Sequence, residues 1–239
     1  MHQEIPQSVS SDAPSKPEVG ACYSYGWQQM KKYVLEVFLV TVAALLIGIP
    51  GYLLMDANEE MGHGNDVLGV IGLIYLILLT RPLMYGAFLV YLRAVKNRRV
   101  VVKDMFDVSQ NYLNVVLANL FVLVIVAVGT VLFIIPGIFL ACRLSFTIFL
   151  VTDRKMEAVE AVKESWRLTA GHSWTILLIA MVAIPISILG LACFGIGIVG
   201  AMMWVGMAHA SLYYAVTSSK GAGLQGPGAG GAEAPVAPA

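Results

Sequence analysis

The chain has 239 residues, 58% hydrophobic and 13% charged, with 15 basic and 15 acidic side chains and a mean hydropathy of +0.78. A soluble domain is about a quarter charged, so this chain cannot coat a water-soluble particle and needs a bilayer as solvent for much of its length. Its net charge of zero provides no bulk field to draw the molecule to nucleic acid.

Residues 1–20 carry no apolar signal-peptide core; Gln, Ser, Asp, Pro and Lys dominate from Gln3 to Glu18, the composition of a disordered tail. Six apolar runs follow, to be compared with the roughly 17–25 residues a spanning helix needs. The first covers about Tyr33 to Met55. The second runs from Val67 to about Leu92, interrupted by Arg81-Pro82. The third runs from Leu113 to Ile135, where Pro136-Gly137 breaks it. The fourth, Ile138 to Val151, is short and calls for tilt or local thinning. The fifth runs from Trp174 to about Leu189 and the sixth from Phe194 to Val216. Tight turns make hairpins of the third with the fourth and the fifth with the sixth. Residues 218–239, mostly Gly, Ala and Pro, read as a second flexible tail. The fold class is therefore all-α: a polytopic membrane bundle of six transmembrane helices within residues 21–217.

Thirteen Lys and Arg fall in four segments: Lys16, Lys31 and Lys32; Arg93 to Lys103; Arg154 to Arg167; and Lys220. Six spans put all four on one side. The opposite loops hold no Lys or Arg, and residues 56–66 carry Asp56, Glu59, Glu60 and Asp66. The positive-inside rule then predicts cytoplasmic termini, and Tyr33, Trp174, Tyr213 and Tyr214 fall where an interfacial aromatic belt would lie.

Between spans, Met156 to Thr169 sets Val159, Val162 and Trp166 at helical spacing, with Glu157, Glu160, Glu164 and Arg167 opposite. Asp153 is its expected N-cap and Gly171 its stop. This predicts an amphipathic helix on the cytoplasmic interface. Val101 to Tyr112, with Val102, Met105 and Phe106 on one face, and Tyr23 to Met30, with Trp27, are expected to be similar. Trp27, Phe106 and Trp166 each precede a ring residue (Tyr33, Tyr112, His172) by six positions, and Ile-Pro-Gly occurs at 49–51 and 135–137. The pattern is that of a threefold repeat of interfacial helix plus transmembrane hairpin.

The run Ile135-Pro136-Gly137, then Asp153, then Glu160-Ala161-Val162-x-x-Ser165-Trp166-x-Leu168-x-x-Gly171 resembles an uncharacterised bacterial family of six-span integral membrane proteins. That family is similar to the membrane domain fused to some glycerophosphodiester phosphodiesterases. The resemblance covers most of Gly26 to Val216. It implies a scaffold in the bacterial inner membrane; with no hydrolase-sized segment outside the spans, phosphodiester hydrolysis is not expected.

Gly195-Ile196-Gly197-Ile198-Val199-Gly200 matches a dinucleotide fingerprint but lies in an apolar run without the strand that motif requires. The better reading is helix packing, with Gly195, Gly197, Gly200, Gly206 and Ala210 allowing close approach. Arg81 and Arg143 are charges inside apolar runs, each costing roughly 2.5–3.5 kcal/mol to insert. With Glu36 in the first span they form a candidate intramembrane polar site, with a Glu36–Arg81 ion pair as its core. Interhelical locking competes with ligand binding for either arginine. The basic cluster Arg93 to Lys103 would attract anionic headgroups, although topology alone accounts for it.

His63, His172 and His209 stand at no metal-ligand spacing, and Cys22, Cys142 and Cys193 form no C-x-x-C pair, so no metal, cofactor or disulfide is expected. Ser173 reads as the N-cap of the fifth span, not as a nucleophile. The leading expectation is a non-enzymatic protein that contacts membrane lipid or serves an envelope complex, alone, as a homo-oligomer or with a membrane partner. The alternative is a small transporter or channel with Glu36, Arg81 and Arg143 along its path.

Overall fold

The computed structural model describes residues 17–60, 66–192 and 196–224, and every described element is helical. In chain order these are α1 (Val19–Lys32), α2 (Val34–Glu60), α3 (Asp66–Tyr75), a π segment (Leu76–Thr80) and α4 (Arg81–Val95). A 3-10 helix (Val102–Asn111), α5 (Tyr112–Leu132), α6 (Ile134–Leu144) and α7 (Thr147–Asp153) follow, then α8 (Ala158–Thr169), α9 (Ser173–Ala192) and α10 (Ile196–Leu224).

Among the described residues five helices are long and apolar enough to cross a membrane: Val34–Ala57, Val67–Val95, Tyr112–Leu132, Ile134–Asp153 and Ser173–Ala192. Their outward faces carry Leu46, Leu53, Val70, Ile74, Val131, Ile184 and Leu189, all exposed. Such a surface suits hydrocarbon, where lipid tails match Leu and Val in polarity. α10 has the length to span, at 29 residues, but Trp204, His209, Ser211, Tyr213 and Tyr214 dilute its apolar run, and it is not among the five.

The element order repeats three times as a short helix followed by two long ones. The short helices dock mainly outside their own hairpins, although α1 also touches α4 and α2 and the 3-10 helix touches α5 and α7. α1 packs on α9 and α10, the 3-10 helix on α4 and α2, and α8 on α5, α6 and α7. Each thus clasps the hairpin one step back, and the first clasps the last. At equivalent positions the approach is backbone-close. A methyl on Gly26 would meet the backbone of Met207 and Ala208, and one on Gly86 would run into the carbonyl of Met105. The Ser165 hydroxyl donates to the Arg143 carbonyl at 2.9 Å. The two Ile-Pro-Gly triplets are not equivalent, since Pro50 lies inside α2 whereas Pro136 is the third residue of α6.

Helix irregularities have local causes. The second span is continuous through Arg81-Pro82, bulging into the π segment instead of breaking. Pro82 has no N–H for the carbonyl of Leu78, and the Tyr112 hydroxyl donates to that carbonyl at 2.6 Å. The third run ends at Phe133, whose backbone is extended (φ −160°, ψ 139°). Pro136 breaks nothing, because a first-turn residue has no intrahelical partner for its N–H. Gly137 instead makes room for Thr130 as α6 folds back on α5. The fourth run is longer than expected, Ile134–Asp153, with a turn at Ser145–Phe146 between α6 and α7.

Asp153 caps no helix; Glu157 holds the N-cap position of α8. Asp153 ends α7 and accepts from Lys96 Nζ at 2.7 Å, joining the first hairpin to the second. Gly171 does end the α8 segment, at φ +87°, a left-handed conformation cheap for glycine. Ser173 is the first residue of α9 and its hydroxyl donates to the Thr169 carbonyl at 3.2 Å, so it is no N-cap. Tyr213 is buried, stacked on Phe149 (4.8 Å) and edge-on to Phe146 (5.5 Å), and so belongs to the core instead of the interfacial belt.

Candidate functional site

A cavity of about 600 Å³ opens at mid-bundle between α4, α5, α6, α7, α9 and α10. Its polar lining is Arg81, Tyr85, Asn119, Ser145, Ser187 and His209; Phe88, Leu123, Val126 and Ile148 are among its apolar walls. Helical spacing explains the α4 side, because Arg81, Tyr85 and Phe88 fall on one face at i, i+4 and i+7. Gly206 brings α10 against the ring of Tyr91; a methyl there would sit 2.5 Å from Tyr91 Cε2. Ser145 and Ser187 spend their hydroxyls on the carbonyls of Cys142 (2.9 Å) and Ala183 (2.8 Å). His209 hydrogen-bonds the carbonyl of Val205. Arg81, Tyr85 and Asn119 make no hydrogen bond or ion pair among the described residues, although Tyr85 is 6% and Asn119 7% exposed.

The three charges expected to form one polar site are not together. Only Arg81 lines the cavity. The hairpin register pairs Thr41 with Tyr91 (hydroxyls 2.8 Å apart) and sets Gly48 against Thr80. Arg81 is therefore level with Ile47–Gly48, about 17 Å along α2 from Glu36 at 1.5 Å per residue. The Glu36–Arg81 ion pair does not form. Glu36 lies near the start of its span, whereas Arg81 lies at the middle of Val67–Val95.

Arg143 has the partner that the sequence did not reveal. Its guanidinium donates to the Trp166 carbonyl at 3.1 Å and lies over the rings of Trp166 (4.8 Å) and Phe139 (5.2 Å). Ser165 donates to the Arg143 carbonyl, and Thr169 Oγ1 lies 3.0 Å from it. The ends of α6 and α8 thus satisfy one another's orphan carbonyls, with a cation at the C-terminus of α8. Arg143 is an interhelical lock.

α8 buries Ala158, Ala161, Ser165, Leu168 and Thr169. Val159, 50% exposed, and Trp166 face outward, with Val162 between the two environments. The small residues go inside because the backbones approach so closely; the larger apolar stripe remains for the surroundings. The 3-10 helix does likewise, burying Met105 and exposing Phe106, which therefore do not share a face. Arg93 pairs with Asp104 and, at 2.9 Å, with Asp107, pinning this helix to α4.

Among the expected packing residues, Gly197 faces Gly190, Gly206 faces Tyr91 and Ala210 is buried. Gly200 has open space around it and packs against nothing. Gly195, His63 and Cys193 lie outside the described residues. Cys22 and Cys142 are buried free thiols, and burial pushes the Cys22 thiol up to about 12. Burial likewise raises the Tyr23 hydroxyl to about 12, and that hydroxyl donates to the Ile179 carbonyl at 2.9 Å. No group of three His, Cys, Asp or Glu that could hold a metal occurs among the described residues.

Tyr85 and Asn119 were not among the site residues expected from the sequence. Asn119 had a visible signal, an amide within an apolar run, but its meaning depended on which way α5 faces. No protein-family model, curated protein or solved structure matches the chain.

Proposed function

We propose that this is a six-span protein of the bacterial inner membrane, both termini cytoplasmic, that works without catalysis by binding membrane lipid, alone or within an envelope complex. The observation that carries the reading is the mid-bundle cavity: about 600 Å³, with an apolar wall, at the depth of the hydrocarbon core. Ligand pockets occupy roughly 300–1,000 Å³ and often lie between the helices of a bundle, and the molecules at hand at that depth are lipids. The outward stripe of α8 with exposed Trp27 and Phe106 gives the basic end an apolar, ring-bearing rim suited to the headgroup boundary. α10 supplies the sixth span. The bacterial setting rests on the family resemblance.

A second reading, passage of a small solute, draws support from two discontinuities beside the cavity: the π segment before Arg81 and the turn at Ser145–Phe146. Transporters place substrate sites where helices are broken near the midplane.

Native mass spectrometry of the protein taken directly into nanodiscs separates the two. An enriched lipid class that stays on the protein supports lipid binding. A protein carrying only bulk lipid refutes it, and solute flux in proteoliposomes then tests passage.

A further inference from the structure

Arg81 sits at the centre of the Val67–Val95 span. About 20 Å of helix at 1.5 Å per residue separates it from either end, too far for its side chain to reach an interface. Its side chain is exposed, and among the described residues it has no counter-ion. Asp104 and Asp107 pair with Arg93, Asp153 with Lys96 and Glu164 with Arg167, and no Asp or Glu lines the cavity. Intramembrane charges are retained when something pairs with them. Two further polar groups, the Tyr85 hydroxyl and the Asn119 amide, meet the same space without a hydrogen-bond partner among the described residues, and the Arg81 charge acts on Tyr85. Three unspent donors and one uncompensated positive charge converge on one cavity.

We infer that this cavity binds the head of an anionic single-chain amphiphile, a carboxylate or phosphate ester on a long apolar chain, with Arg81 as its counter-ion. The planar guanidinium grips either anion through two parallel hydrogen bonds. Tyr85 and Asn119 donate to the remaining oxygens. Phe88, Leu123 and Ile148 receive the first part of the chain. This rests on the lipid-binding reading and adds the sign of the head and the residue that reads it.

The test is binding of three radiolabelled probes to the full chain in nanodiscs of neutral lipid: palmitate, palmitoyl lysophosphatidate and uncharged monopalmitoylglycerol. Palmitate, lysophosphatidate or both bind saturably at one site per chain, and the tighter of the two names the source of the anion. Monopalmitoylglycerol binds at least tenfold more weakly. Arg81→Gln loses at least tenfold for the anions, and Arg81→Lys, which keeps the charge but not the two parallel hydrogen bonds, loses less than Arg81→Gln. Unchanged anion binding by folded Arg81→Gln, or equal binding of monopalmitoylglycerol, overturns the inference. Should Arg81→Gln fail to fold, a diazirine-bearing palmitate photolabels the wild type instead. Labels on Phe88 or Leu123 support the site, and labels confined to a second, apolar groove between α6 and α9, lined by Ile138, Phe139 and Trp174, overturn it. A neutral lipid retained by the native protein would sink the charge reading alone; loss of all lipid selectivity would sink the parent reading with it.

Discussion

Proline 82 leaves one carbonyl without a helical donor, and a tyrosine from another hairpin supplies the proton. Tyr112→Phe is expected to cost about 1 kcal/mol, the usual net value of a hydrogen bond, read as a lower Tm in detergent. Restoring the helical N–H with Pro82→Ala should shrink that cost, since Leu78 then has a donor within its own helix. An equal cost in both backgrounds would refute the coupling. Cys22 offers a second check. Its thiol is held up at about 12 by burial, from 9.0 for a free thiol, so the folded protein keeps it protonated and unreactive at pH 8. Because the folded value lies above the unfolded one, this contribution to stability is complete below pH 9 and fades towards pH 12. Maleimide should leave Cys22 unmodified in the native protein and label it after denaturation, as followed by mass spectrometry.

Legibility also divides at this scale. Arg81 is conspicuous in one dimension, as a charge in an apolar run. Its company of Tyr85 and Asn119 is not, because that depends on the rotation of α4 and α5 about their axes. Arg143 looked alike in sequence but has the opposite fate, paired and stacked, because the turn at Ser145–Phe146 brings α8 to it.

Whole elements were read by hydrophobicity, and this succeeds where lipid faces the helix. The apolar runs of α2, α5 and α9 are close to the helices observed, because backbone groups in hydrocarbon must bond internally and apolar length sets the element. The short helices are different. Hydrophobicity set Val159, Val162 and Trp166 as the apolar face of α8, whereas docking on the bundle selected Ala158, Ala161 and Ser165 for size. Ser165 and Thr169 serve the end of α6, and Gly171 releases the chain into α9. Arg143→Lys keeps the charge but loses the planar stack on Trp166, and Arg143→Leu loses both. Expected costs are about 1 kcal/mol and 2–3 kcal/mol respectively, with protease cutting between residues 154 and 157 rising in the same order. Gly86→Ala should expel the 3-10 helix from α4 at a cost of about 1–3 kcal/mol, read as faster hydrogen exchange across residues 102–111.

For the molecule as a whole, the proposed orientation sets the basic segments at the cytoplasmic end and Asp56, late in α2, towards the other. A fluorescent protein fused after Leu224 should fold and glow, as only a cytoplasmic fusion does, whereas one inserted at residues 61–65 should stay dark. A dark C-terminal fusion would overturn both the sixth span and the orientation. Five of the six expected spans were readable from apolar length, but the packing order was not, because no local pattern states that a short helix grips the hairpin before it.

That order has a consequence for how the protein is made. The face of α1 that carries Cys22, Tyr23 and Gly26 is synthesised among the first elements, yet its seat lies on α10, the last. Until the ribosome finishes, that face has nowhere to rest, and any chain stopped early displays it.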